Sequence, residues 1–188
     1  MTIGKYKQVD IIMLTLLAIA CELLGYFAHL KFPDAGFYLS FSIVLCIVGM
    51  LRWGYSAFII YPIAGLALVF TAQPSEIFDK ILLFPVANSF IVLSAVMFKF
   101  VSRETVKDSG TKTLIFVLAA YASVAIGKGF AMLILAGGLF NGMAIYVLAD
   151  LFNIVMVSLV LLFLRKRDGL LSDMETYFEE EKEENGAV

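Results

Sequence analysis

The stretch "TLIFVLAAYASVAIGKGFAMLILAGGLF", residues 113–140, carries a single charged side chain, Lys128, flanked by Gly127 and Gly129. A helix needs roughly 20 apolar residues to cross ~30 Å of hydrocarbon, and this run exceeds that length. The rest of the chain is of the same kind. Over 188 residues it is 61% hydrophobic and 16% charged, with a mean hydropathy of +0.93, against roughly 45–50% apolar and ~25% charged in a soluble domain. The composition is that of an integral membrane protein.

Working outward from Lys128, six segments are apolar enough to span: Ile11–Leu30, Ala35–Leu51, Trp53–Ala72, Ile77–Phe98, Thr113–Phe140 and Gly142–Leu164. The second is short, and little more than Arg52 separates it from the third, so these two read as a tight helical hairpin or a partly re-entrant pair. Lys5 and Lys7 followed by "IIMLTLLAIAC" raise the alternative of a signal peptide with a lipoprotein-like box at Cys21. Ala18 stands where such a box prefers leucine and the apolar run continues to Leu30, so the segment is read as a retained spanning helix.

Basic residues set the orientation, because Lys and Arg concentrate on the cytoplasmic side. Lys5, Lys7, Arg52, Lys99, Arg103, Lys107, Lys112, Arg165, Lys166 and Arg167 fall on one side, and only Lys31 and Lys80 on the other. The expectation is an all-α integral membrane protein, a six-transmembrane-helix bundle with both termini cytoplasmic. Residues 1–168 form the membrane domain and residues 169–188 an acidic cytoplasmic tail. In the tail, Ser172 and Glu175 match the Ser-x-x-Glu capping box, and Leu170, Leu171, Met174, Tyr177 and Phe178 recur at helical spacing. A short amphipathic helix is predicted there, with "EEEKEEN" as a solvated, frayed end or a docking element for a partner.

The net charge of −2 divides into a basic membrane-proximal part and the acidic tail, and carries no footprint of nucleic-acid binding. Cys21 and Cys46 lie in apolar runs and form neither a disulfide framework nor a CxxC metal site. His29 has no second ligand at metal spacing and reads as a surface or lid residue. No P-loop, HExxH or GxSxG motif is present, so the reading is a protein that is not an enzyme and needs no cofactor.

Ionisable groups at membrane depth cost a few kcal/mol on insertion scales and mark partners, pathways or ligands. Glu22, Lys128 and Asp150 are such groups, and with the polar Asn88, Ser89 and Asn153 they lie on four spans. At ~1.5 Å of rise per residue they lie ~10–17 Å below the outer boundary. One layer slightly outward of the midplane suggests the floor of an outward-opening pocket. The bland reading is a structural Lys128–Asp150 ion pair, with Asn88 satisfying backbone groups freed by Pro85. The sharper one has Lys128 binding a carboxylate, phosphate or carbonyl of a ligand. Ala119, Ser123, Gly127 and Ala131, and Ala125 with Gly129, form small-xxx-small patterns that favour close helix packing. Pro62 and Gly65 read as a kink or thinning of span three, and Trp53, Tyr55 and Tyr61 as an interfacial aromatic belt.

In size and six-span layout, in the opening helix "LTLLAIACELLG", in the Arg-Gly pair of "LRWGYSAFIIYPIAG" and in "FPVANSF", residues 8–165 resemble the substrate-binding S components of energy-coupling factor (ECF) vitamin transporters. That resemblance implies a bundle in a bacterial cell membrane that captures a vitamin or its precursor at the outer face. Uptake would then be driven by a T component and ATPase subunits. The family's ligand site maps onto Asn88, Lys128, Asp150 and Asn153, with Phe32–Gly36 as a lid and Glu22 in the same polar layer. The family's docking face uses small residues of span one; here Ala18, Cys21 and Gly25 provide them, interrupted by Glu22. Two competing classes are a structural membrane scaffold of a cell-envelope complex (MreD-like), with no ligand, and a small channel or proton-coupled carrier using Glu22 and Asp150.

Overall fold

The computed structural model describes residues 3–32, 40–167 and 169–186, and the side chains of all of these except 141, 142 and 182–186. Among the described residues the fold is helical, without strands. Five helical runs are long and apolar enough to cross a membrane: Ile3–Lys31, Ser42–Val69, Pro74–Lys99, Gly110–Ala136 and Met143–Leu164. Large apolar side chains cover the outside, among them Leu16, Leu24, Phe27, Leu148, Leu159 and Phe163. A soluble monomer rarely exposes so continuous an apolar surface. The chain is a multi-pass helical membrane protein.

The first run is helix α1 (Ile3–Lys31). The second run, Ser42–Val69, is not a straight rod. Helix α2 (Ser42–Trp53) ends at Gly54, whose φ of 62° lies in the left-handed region, where a side chain is strained and glycine is not. A 3-10 turn, Gly54–Ile59, leads into α3 (Ile60–Val69), which packs back on α2. Cys46 Sγ lies 3.8 Å from the Ala57 carbonyl oxygen, whereas a straight helix would hold residues 46 and 57 ~16 Å apart. A Cβ at Gly49 would come within 2.6 Å of Ile60 Cδ1 and 3.0 Å of Ala57 Cβ, so this glycine sets the closeness of the two arms. Where the sequence predicts two spans, length and composition count one run, and the difference is this hairpin. At 12 residues α2 is ~18 Å long, too short to cross. The start of predicted span two and most of the lid Phe32–Gly36 lie outside the described residues.

The third run is heterogeneous. Helix α4 (Ile77–Ile81) passes into a π-helical turn, Leu82–Val86, around Pro85, then into α5 (Ala87–Ser89) and a 3-10 stretch, Phe90–Lys99. Proline removes a donor from the ladder, and the wider turn rearranges the bonds around it. The Ala87 N–H goes to the carbonyls of Leu82 and Phe84.

The polar connection "SRETVKDSGTK" is itself ordered. Ser102 caps α6 (Arg103–Asp108) by accepting from the Thr105 N–H, and Ser109 caps α7 (Gly110–Ala136). Helix α7 is the most central of the long helices, and its two flanking glycines serve different neighbours. A Cβ at Gly127 would run into the Ala87 carbonyl oxygen and Phe90. One at Gly129 would meet Met143 and the Leu139 carbonyl of α8 (Leu139–Leu164). The glycines beside Lys128 thus bring α5 and α8 against α7 on either side of it.

At one end of the bundle the basic residues converge. Arg52 Nε is 2.8 Å from Asp10 Oδ2, which also accepts from Trp53 Nε1 at 2.5 Å. Arg103 pairs with Asp173 at 2.8 Å and with Glu175 at 2.7 Å, and Lys7 reaches Glu175 at 2.8 Å. These contacts tie down α9 (Met174–Gly186), which continues through the acidic run. Leu171 and Met174 are buried in the core. The cap is Asp173, accepting from the Glu175 and Thr176 N–H groups, one residue later than the Ser172 box expected. Trp53 is buried against Tyr6 instead of standing in an aromatic belt, and only Tyr55 of the three aromatics there is exposed.

Candidate ligand-binding cavity

Ser42 opens α2 deep in the molecule. Its hydroxyl donates to Glu22 Oε2, and Ser40 Oγ donates to the same oxygen at 2.7 Å. Glu22 lies nine residues before the end of α1, ~13 Å along the helix, so α2 begins at the level of the polar layer, as a re-entrant arm does. A carboxylate at a helix N-terminus is favoured by the macrodipole. Glu22 is nearly fully buried here, and Ala18 faces inward with it. The small-residue stripe of span one therefore points partly into the bundle.

Around this layer lies a cavity of ≈ 280 Å³ bounded by Glu22, His29, Ser40, Tyr61, Phe84, Asn88, Lys128, Tyr146, Ala149 and Asp150, near the lower end of the ~300–1,000 Å³ typical of small-molecule sites. Four of the five residues singled out from the sequence, Glu22, Asn88, Lys128 and Asp150, line it together. Asn153 stands behind the wall: its Nδ2 donates to Asp150 Oδ1 at 3.1 Å and its Oδ1 accepts from the Ser40 N–H at 3.3 Å. It braces Asp150 and the approach to α2. His29, exposed near the far end of α1 from the basic cluster, forms part of the rim.

Lys128 does not pair directly with Asp150. Its Nζ donates to the Leu83 carbonyl in the π turn and lies 4.6 Å from the centre of the Phe84 ring and 5.2 Å from that of Tyr146. A cation over an aromatic face is attracted by the ring quadrupole. The Leu83 carbonyl, two residues before Pro85, thus accepts from Lys128, and Ser89 Oγ donates to the Pro85 carbonyl at 2.7 Å. Asn88 is 1% exposed, and its Oδ1 has no hydrogen-bond partner among the described residues. Gly65 makes room for it: a Cβ there would lie 3.0 Å from Asn88 Nδ2 and 3.1 Å from the Phe84 carbonyl carbon. Gly65 therefore thins α3 where span four approaches, and Pro62 sits in the first turn of α3, where a missing N–H costs little.

Ser40, Tyr61, Phe84 and Tyr146 are absent from the sequence reading of the site. Hydroxyl and aromatic residues are common in spans, and nothing in their spacing sets these apart from lipid-facing ones. Tyr61, read from the sequence as part of a belt, is buried on the cavity wall. Compared with protein-family models, curated proteins and solved structures, the chain matches none.

Proposed function

We propose that this protein is a membrane-embedded receptor for a small polar micronutrient of the vitamin or vitamin-precursor class, which it captures from the outer side of a bacterial cytoplasmic membrane. Both ends of the bundle are cytoplasmic in this reading, and the re-entrant hairpin α2–α3 stands where the sequence reads the second and third spans. The observation that carries this reading is Asn88, a buried amide whose acceptor has no partner and which faces a cavity holding further charged groups. A buried polar group left unsatisfied costs ~1–3 kcal/mol, and a ligand that bonds to it would relieve that cost. A scaffold with no ligand would be expected to close its polar layer by mutual pairing, and Asn88 departs from that. The absence of a nucleotide-binding motif in the sequence means that ATP-driven release needs separate subunits, a T component and ATPases.

Native mass spectrometry of the purified protein tests the receptor reading without a prior guess of ligand, followed by titration with a panel of B vitamins and their precursors. A small-molecule adduct is expected in the natural protein and its loss in Ala149→Phe, which fills the cavity from an exposed position on its wall. Persistence of the adduct in that variant, or no binding by any panel member, refutes the assignment. Co-purification of T and ATPase subunits is expected on mild detergent extraction, and a stable complex with cell-envelope scaffold proteins instead would favour the ligand-free class.

A further inference from the structure

Resting on the receptor reading above, we infer that the cavity selects a ligand carrying a protonated nitrogen, an amine, amidine or cationic heterocycle, with Asp150 and Asn88 as the groups that recognise it. The sequence alone points the other way, since a lysine at membrane depth invites an anion. In the fold, however, the Lys128 ammonium is already engaged: it donates to the Leu83 carbonyl and rests against the Phe84 and Tyr146 rings. The groups around it are mostly acceptors.

Two carboxylates, Glu22 and Asp150, line the cavity against one ammonium. The ionisable side chains deep in the lining are thus two acids to one base. Removed from bulk water, such an imbalance acts across the cavity far more strongly than at a surface, because the effective dielectric is lower. Asp150 receives a neutral amide donor from Asn153 and, among the described residues, no ion pair, so its charge is not cancelled by contact. Asn88 Oδ1 adds an acceptor with no donor. Tyr61, Phe84 and Tyr146 supply aromatic faces, which favour a cation and also accept the flat body of a ring. A ligand bringing N–H donors and one positive charge meets every one of these features. One bringing a lone carboxylate would have to compete with Leu83 for Lys128 and would face two carboxylates.

Three probes that share a phenyl ring and differ in charge test this in neutral phosphatidylcholine nanodiscs: phenethylamine, zwitterionic phenylalanine and 3-phenylpropionate. Phenethylamine is expected to bind at least tenfold more tightly than 3-phenylpropionate, with phenylalanine between them, and Asp150→Asn to abolish the difference. The wild-type ranking needs no variant, so a poorly folding Asp150→Asn leaves the test intact. A preference for 3-phenylpropionate, or equal affinities, overturns the charge assignment while the receptor reading stands. If none of the three binds and native mass spectrometry finds no adduct, both fail.

Discussion

Asn88 and Lys128 illustrate how one proline organises a site residue by residue. Pro85 lies in the π turn and contributes no donor to it, and the Leu83 carbonyl of the same turn takes up the Lys128 ammonium. Asn88, one turn beyond the proline, keeps an acceptor without a partner. Replacing it by a shape-similar apolar residue should stabilise the empty protein and remove its binding. Asn88→Leu is expected to raise the thermal midpoint of ligand-free protein, corresponding to about 1–3 kcal/mol, while abolishing any ligand-induced shift in a thermal-unfolding assay. A lower midpoint would mean that the amide is satisfied in the folded protein. Lys128→Met should act in the opposite sense, since it leaves the Leu83 carbonyl without its donor, and a loss of about 1–3 kcal/mol is expected in the same assay.

Among the elements, α7 depends on what its glycines leave out. Alanine normally stabilises a helix relative to glycine by ~1 kcal/mol, but at Gly127 the added methyl would meet the Ala87 carbonyl oxygen and Phe90, and overpacking costs ~1–3 kcal/mol. Gly127→Ala should therefore lower stability in denaturant unfolding, against the direction of helix propensity. The docking of α9 is electrostatic. Partial burial would raise the Glu175 carboxyl, but hydrogen bonds from Lys7 and Arg103 and their charges outweigh it and hold the group below its ordinary value of 4.5. A depressed carboxylate stabilises the docked state above the unfolded value, and that contribution is lost as pH falls through the folded value. Acidification below about 4.5 should weaken the docking of α9, read as a change in Trp53 emission, because Trp53 packs on Tyr6 and Tyr6 on Phe178. Glu175→Gln should show a smaller acid transition than the natural protein; an identical transition would assign it to other groups.

For the whole molecule, the proposed orientation puts the basic end of the bundle in the cytoplasm. Lys7, Arg52, Arg103, Lys107 and Arg165 are drawn together by contacts with α9, with the segment before it and with the α6–α7 junction, while Glu76 and Lys80 belong to the opposite end. In a background with Cys21 and Cys46 replaced, a cysteine at Lys107 should react with an impermeant maleimide only after the membrane is opened. One at Glu76 should react in intact cells. The reverse pattern would invert the proposed orientation and turn the cavity toward the cytoplasm.

The sequence by itself determined the membrane class and the positions of most helices, because those follow from apolar run length. It also placed Glu22, Asn88, Lys128 and Asp150 at one level, which is why these four were legible. Their partners were not. Whether Lys128 faces Asp150 or Leu83, whether Tyr61 meets lipid or lines a cavity, and whether Ser40 and Ser42 reach Glu22 depend on the rotation of each helix about its axis and on the reversal at Gly54. Those are settled by packing between elements distant in sequence. Periodicity in one span carries no information about the azimuth of another, so only the tertiary structure converts a shared depth into a shared cavity.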